Sequence, residues 1–266
     1  MLMILGISQQ LEPELKDPVV RLIMKGYFDA ASEAGTIVTG GQTIRNPWFL
    51  LGGVASSVSE VSEIIRPINS IPGDVLVLTK PLGTRVAVNA HVSLYDPVKS
   101  NKLLGILTEE QVVECYNSAI NSMIKLNKCA AALMKKYNAH AATDVTGFGI
   151  LGHANQLALN QLSKVKFKIH TLPVFQYSLE INKLFDYGLL EGTSAETSGG
   201  LLISMSRENA TQYIKELYEL DNLEAYIVGD VISHYESNDL DNNNLENNCA
   251  YLDKEFLTIQ VPYFGN

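Results

Sequence analysis

Cysteine, cationic charge and long apolar runs are all scarce in this 266-residue chain. The three cysteines, Cys115, Cys129 and Cys249, are too scattered for a disulfide framework or a zinc spacing, which favours a reducing compartment. Lysine and arginine total 20 against 29 aspartates and glutamates, a net charge of −9. That balance argues against nucleic-acid binding through a broad basic surface, and an anionic nucleotide would need local compensation by a metal, a lysine or backbone amides. No run reaches the roughly 18 apolar residues of a membrane span, and the apolar start Met1–Ile7 lacks the basic flank and length of a signal peptide. These absences predict a cytoplasmic protein without membrane or nucleic-acid partners. What is present is a hydrophobic content of 46%, enough for a substantial core in two domains or one large one.

Periodicity and turn residues organise the chain. Met1–Leu5 reads as a buried strand. Asp17-Pro18 reads as a helix start, followed by Val19, Leu22, Ile23, Tyr27, Ala30, Ala31 and Ala34 at helical spacing and closed by Gly35. Thr36–Thr39 and Phe49–Ala55 read as strands, with Gly40-Gly41-Gln42-Thr43 turning between them. The turn-rich stretch from Pro67 to Gly73 marks a boundary, giving domains of residues 1–70 and 71–266. The second opens on a strand, Asp74–Thr79. Thr108 with Gln111 forms a capping-box pattern before one long helix, Glu109–Tyr137, with a continuous apolar stripe. Further strands at Val165–His170, Gly200–Met205, Ala225–Val231 and Phe256–Val261, with a helix over Arg207–Leu220, predict an α+β fold. Residues 236–248, rich in Asn and Asp, read as a mobile loop without chemistry.

Asp144-Val145-Thr146-Gly147-Phe148-Gly149 places one carboxylate on a glycine-rich turn leading into a helix. A helix N-terminus offers free N–H groups to phosphate. A carboxylate there would repel phosphate, so near a polyphosphate it serves best as a ligand for Mg²⁺, a hard cation that takes oxygen donors. The plainer alternative is a helix cap followed by glycines that only turn the chain. Gly40–Thr43 could cradle anionic oxygens or be an ordinary strand turn. Thr197-Ser198-Gly199-Gly200 could bring backbone close to a ligand or be the tight entry to a strand. Lys80, at a strand end, could reach a phosphate, but a solvated lysine in a turn looks the same and is the preferred reading. His140 and His153 flank Asp144 without a zinc spacing, and packing or hydrogen bonding suits them better.

Thr39-Gly40-Gly41-Gln42-Thr43 with Asn46-Pro47-Trp48, Pro72-Gly73-Asp74 through Gly83-Thr84, the Asp144 segment, and Glu196-Thr197-Ser198-Gly199-Gly200-Leu201-Leu202 together resemble the selenophosphate synthetases (selenide, water dikinases) of the AIR-synthase-like (PurM-like) ATP-binding superfamily. The similarity runs in the family's order from the first residue to about Asp230. It implies a truncated AIR-synthase-like N-terminal domain, ATP-binding and dimerising, and an AIR-synthase-like C-terminal α+β domain. By the same resemblance Asp144 is a metal ligand, and Gly40, Gly41, Gln42 and Thr43 contact ATP in the neighbouring subunit of a homodimer. Thr197, Ser198, Gly199 and Gly200 are possible pocket elements.

The family uses ATP, Mg²⁺ and water to convert selenide into selenophosphate, releasing AMP and phosphate. Met1 matches a strand well inside the family's first domain. The family's catalytic Cys or selenocysteine, its Lys and two further acidic metal ligands therefore have no counterparts here, no catalytic residue is carried over, and impaired activity is expected of this chain alone. The alternative is a non-catalytic dimeric module that binds and modulates a full-length paralogue.

Overall fold

The computed structural model describes residues 1–234 and 248–262, and the chain divides into two units, Met1–Glu63 and Ile64–Asn266. The stretch expected to be a mobile Asn- and Asp-rich loop lies outside the described residues except for Asn248.

In the first unit, β1 (Leu2–Ser8) pairs in parallel with β2 (Gly40–Asn46) and antiparallel with β3 (Leu50–Val54), giving the order β2-β1-β3. The connecting helix α1 (Pro13–Ala34) begins a turn earlier than Asp17-Pro18 suggests. Pro13 takes the first turn, Pro18 lies inside the helix, and Asp17 instead pairs with Arg21 at 2.7 Å. Gly35 ends α1 in the left-handed conformation, φ 83°, as its position predicts. The strand expected at Thr36–Thr39 and the turn expected at Gly40–Thr43 are corrected: residues 36–39 carry no strand, and the glycines belong to β2. Gly41, at φ 144°, pairs with Met3 so closely that a Cβ there would lie 1.8 Å from the Met3 carbonyl oxygen. The glycine marks a close approach of two strands, which in one dimension looks like a turn.

Alternation along β1 sends Met3 and Leu5 to the buried face. Tyr27 of α1 lies over Gly53 and donates its hydroxyl to the Leu2 carbonyl. The opposite face carries Leu2, Ile4, Ile44, Leu50 and Val54, each 41–54% exposed, so the strand expected to be buried is buried on one side only.

The second unit is a six-stranded sheet in the order β5-β7-β4-β8-β6-β9, antiparallel except for β6 with β9. Its strands are β4 (Asp74–Leu78), β5 (Ala141–Asp144), β6 (Val165–Phe175), β7 (Leu201–Ser206), β8 (Tyr226–Ser233) and β9 (Cys249–Val261). Every residue of β4 is buried. Leu76 and Leu78 point into one core with α2 (Thr84–Ser93), α4 (Glu109–Ile124), α6 (Gly149–Leu159) and α7 (Ser178–Phe185). Val75 and Val77 point into the other, with α5 (Lys128–Lys136) and α8 (Arg207–Asp221). A short helix α3 (Pro97–Leu103) joins α2 to α4.

The predicted capping box is formed: Thr108 Oγ1 accepts from the Gln111 N–H and Gln111 Oε1 from the Thr108 N–H. The single helix expected over Glu109–Tyr137 is two helices, because α4 packs on one side of the sheet and α5 on the other. Between them Lys125 is extended, φ −66° and ψ 122°.

Candidate functional site

Asp144 is the last residue of β5, paired with Leu201 at the start of β7. Its carboxylate is exposed, with Thr146 Oγ1 3.4 Å away. The turn behind it is tied down by the chain itself. Val145 donates its N–H to Gly200 O, and Glu196 donates its own to Thr146 O, both at 2.9 Å. Two regions singled out in the sequence, the Asp144 turn and Thr197–Gly200, are thus joined through the backbone, and Asp144, Thr197 and Ser198 are all exposed. At Gly199 and Gly200 the room left by the absent side chains is filled by the chain's own backbone. A Cβ would lie 2.1 Å from Val145 O in the first case and 2.6 Å from the Lys80 nitrogen in the second. Gly40–Thr43 lies in the other unit, exposed along the edge strand β2.

The N-terminal end of α6 is less open than its sequence suggests. The Phe148 N–H donates to His153 Nε2 at 3.3 Å, the Gly149 N–H to Thr146 O and the Leu151 N–H to Gly192 O. Accepting at Nε2 leaves the His153 proton on Nδ1. Burial holds the His153 pKa below its ordinary value against the upward pull of Asp144. Its role is therefore to shape the turn. His140 bonds Asp74 at 2.8 Å, where Ser204 Oγ also donates, so both histidines hydrogen-bond as expected from their settings.

Lys80 corrects the sequence reading most sharply. It is fully buried, not solvated, and its ammonium donates to Ser122 O, Lys125 O and Ser198 O at 2.9, 2.6 and 2.9 Å. The first two are at the C-terminal end of α4, where a cation meets the negative end of the helix dipole. The third belongs to a residue in the left-handed conformation, φ 49°. With three donors on three carbonyls the side chain is spent on structure, and burial with Lys125 nearby pulls its pKa down to about 8.

Glu196, at the head of the Glu196–Leu202 segment, is a second buried ionisable group. Its Oε1 accepts from the Gly83 N–H at 2.7 Å, and Oε2 from the Thr84 N–H and Oγ1 at 2.9 and 2.6 Å. It thereby satisfies the donors at the start of α2 from 112 residues away. Burial pushes its pKa up to about 7 despite the three donors. No local spacing links Glu196 to Thr84, so sequence periodicity could not have found the pair.

Among the described residues no group of three His, Cys, Asp or Glu side chains stands close enough to hold a metal. Asp144 thus offers one oxygen ligand of the kind Mg²⁺ takes, and further ligands would have to be water, phosphate oxygens or other residues. The three cysteines are free, and burial pushes the Cys115 thiol up to about 12, which makes it inert at neutral pH.

Residues 72–238 match the family model of the AIR synthase related protein, C-terminal domain. Solved structures share the fold: thiamine-monophosphate kinase from Stenotrophomonas maltophilia, at TM-score 0.63 and 17% identity, covers 96% of this chain and 72% of its own. The hydrogenase maturation protein HypE from E. coli aligns at TM-score 0.60 and 15% identity, over 94% of this chain and 68% of its own.

Within that class the sequence is more specific. It is 51% identical over 245 residues to the selenide, water dikinase of Dictyostelium discoideum, covering 91% of this chain and 67% of that protein. It is 46% identical over 282 residues to selenide, water dikinase 3 of Danio rerio, covering 100% and 60%. It is 49% identical over 233 residues to human selenide, water dikinase 2, covering 86% and 52%. The chain belongs to the selenide, water dikinase family and spans between about half and two thirds of the length of these relatives.

Proposed function

We propose that the chain supplies part of the machinery that makes selenophosphate from selenide, ATP and water, with release of AMP and phosphate. Asp144 carries the reading: an exposed residue at a strand end, followed by a turn that two backbone hydrogen bonds brace against residues 196–200. In this role Asp144 is one ligand of Mg²⁺, which when bound would neutralise polyphosphate charge. Support for ATP comes from fold relatives: HypE has been solved in complex with ATP, and a thiamine-monophosphate kinase with AMPPCP and TMP.

Gly40, Gly41, Gln42 and Thr43 are the nucleotide contacts offered to a neighbouring subunit, and the ATP-binding, dimerising part is residues 1–70. The open apolar face of Leu2, Ile4, Ile44, Leu50 and Val54 favours a homodimer, since a three-stranded sheet covered on one side leaves its other side wet. No described helix is long and apolar enough to cross a membrane, and the working compartment in this reading is the cytoplasm.

The 266 residues alone should release little or no AMP from ATP and selenide, because a single carboxylate does not hold Mg²⁺ and ATP in reacting geometry. Fused behind the front segment of the Dictyostelium relative, the chain should gain selenide-dependent AMP production, and Asp144→Asn should remove most of it. A chimera that Asp144→Asn leaves fully active would overturn the assignment.

A further inference from the structure

Glu196 is buried with its carboxylate on three donors at the start of α2, one from Gly83 and two from Thr84. A buried charge of this kind is seldom better for stability than an apolar side chain of the same volume, so its position asks for another use. The backbone around it supplies one. The N–H of the same residue holds Thr146 O, Gly200 O holds the Val145 N–H, and Gly199 has no side chain because Val145 O lies where one would be. Residues 196–200 are therefore the wall against which the Asp144 turn rests. Thr84 closes the circuit, since its hydroxyl donates to Glu196 and accepts from the Thr197 N–H at 3.0 Å.

We propose that Glu196 is a positioning residue for Asp144: by fastening residues 196–197 to the start of α2, it fixes the backbone of Val145 and Thr146 and so the direction of the Asp144 carboxylate. The proposal rests on the reading of Asp144 as a metal ligand. Glu196 does not touch the metal in it; Asp144 is exposed and Glu196 is enclosed. Partners that orient a ligand typically change metal affinity 10- to 100-fold when removed.

The test titrates the 266-residue chain with Mn²⁺ in the presence of ATP, following free Mn²⁺ by its paramagnetic resonance signal, with thermal unfolding recorded on the same samples. Glu196→Gln should weaken Mn²⁺ binding about tenfold. Thr84→Val, which removes the hydroxyl that donates to Glu196 and accepts from Thr197 and keeps the side-chain shape, should weaken it severalfold in a chain that still unfolds cooperatively. Thr84→Val decides the matter if Glu196→Gln does not fold. Folded variants that bind Mn²⁺ like the unmodified chain, while Asp144→Asn abolishes binding, would overturn the positioning role alone. Binding that is absent from the unmodified chain, or unchanged by Asp144→Asn, would overturn the metal reading and the proposal with it.

Discussion

A carboxylate and an ammonium, Glu196 and Lys80, are both enclosed; Glu196 reaches from the segment that braces the Asp144 turn to the start of α2, and Lys80 ends on that segment at Ser198 O. Lys80→Met would remove the ammonium from Ser122 O, which is buried, and from Lys125 O and Ser198 O, which are partly buried, and should lower the unfolding free energy by about 2 to 5 kcal/mol, read from the urea midpoint. Glu196 makes a prediction about pH. Its pKa rises on folding from 4.5 to about 7, so the folded chain binds more protons than the unfolded one between those values. The stability this contributes is complete below pH 4.5 and is lost as pH rises through 7, on the order of 3 kcal/mol in all. Urea unfolding at pH 5 and pH 8 should show that fall in the unmodified chain and a smaller one in Glu196→Gln; equal falls would refute it. At this scale the place of Asp144 at a strand end before a glycine-rich turn was legible because an acid there is locally unusual, and its role as a metal ligand is a proposal. Lys80 was misread because burial is a property of the fold, and its three acceptors come from residues 42, 45 and 118 positions away.

The elements that periodicity located best are those whose ends are chemical. The capping box of Thr108 and Gln111 and the glycine ending α1 both stand where the residue types require. The break between α4 and α5 has no such mark, since the apolar stripe runs on while the chain changes sides of the sheet. What holds the break is tertiary: Lys80 on Lys125 O, and Asn127 Nδ2 on Gly199 O at 3.0 Å. Asn127→Ala should therefore cost about 1 kcal/mol in urea unfolding, and no loss would mean the junction is held otherwise. Strand β2 was mistaken for a turn for the same reason, Gly41 serving a neighbour absent from the local sequence. Gly41→Ala places a methyl group against Met3 O and should destabilise the first unit by more than about 2 kcal/mol. Gly40→Ala meets nothing nearer than Leu2 Cδ2 at 3.5 Å and should shift stability by less than about 1 kcal/mol. Similar losses from both would count against this account of β2. Because Gly41 is needed by its own sheet, nucleotide contact by this strand is better probed at the exposed Gln42 and Thr43.

For the whole molecule, the acidic balance and the α+β pattern of the second unit were readable from composition and periodicity, and the long ordered resemblance named the family. The homodimer was an expectation from the resemblance alone, because which face of β1 is covered depends on where α1 comes to lie. The exposed side of the first sheet predicts a dimer by sedimentation velocity at micromolar concentration, and Leu50→Asp should shift the population to monomer; a unmodified chain that stays monomeric would contradict the homodimer. The central claim, that Asp144 serves a metal-dependent nucleotide site, is tested most directly by calorimetric titration of ATP with and without Mg²⁺ into the unmodified chain and into Asp144→Asn. The account predicts weak, Mg²⁺-dependent binding that falls at least about tenfold in Asp144→Asn while the unfolding midpoint is unchanged. Binding of equal strength in the two chains, or binding indifferent to Mg²⁺, would contradict it.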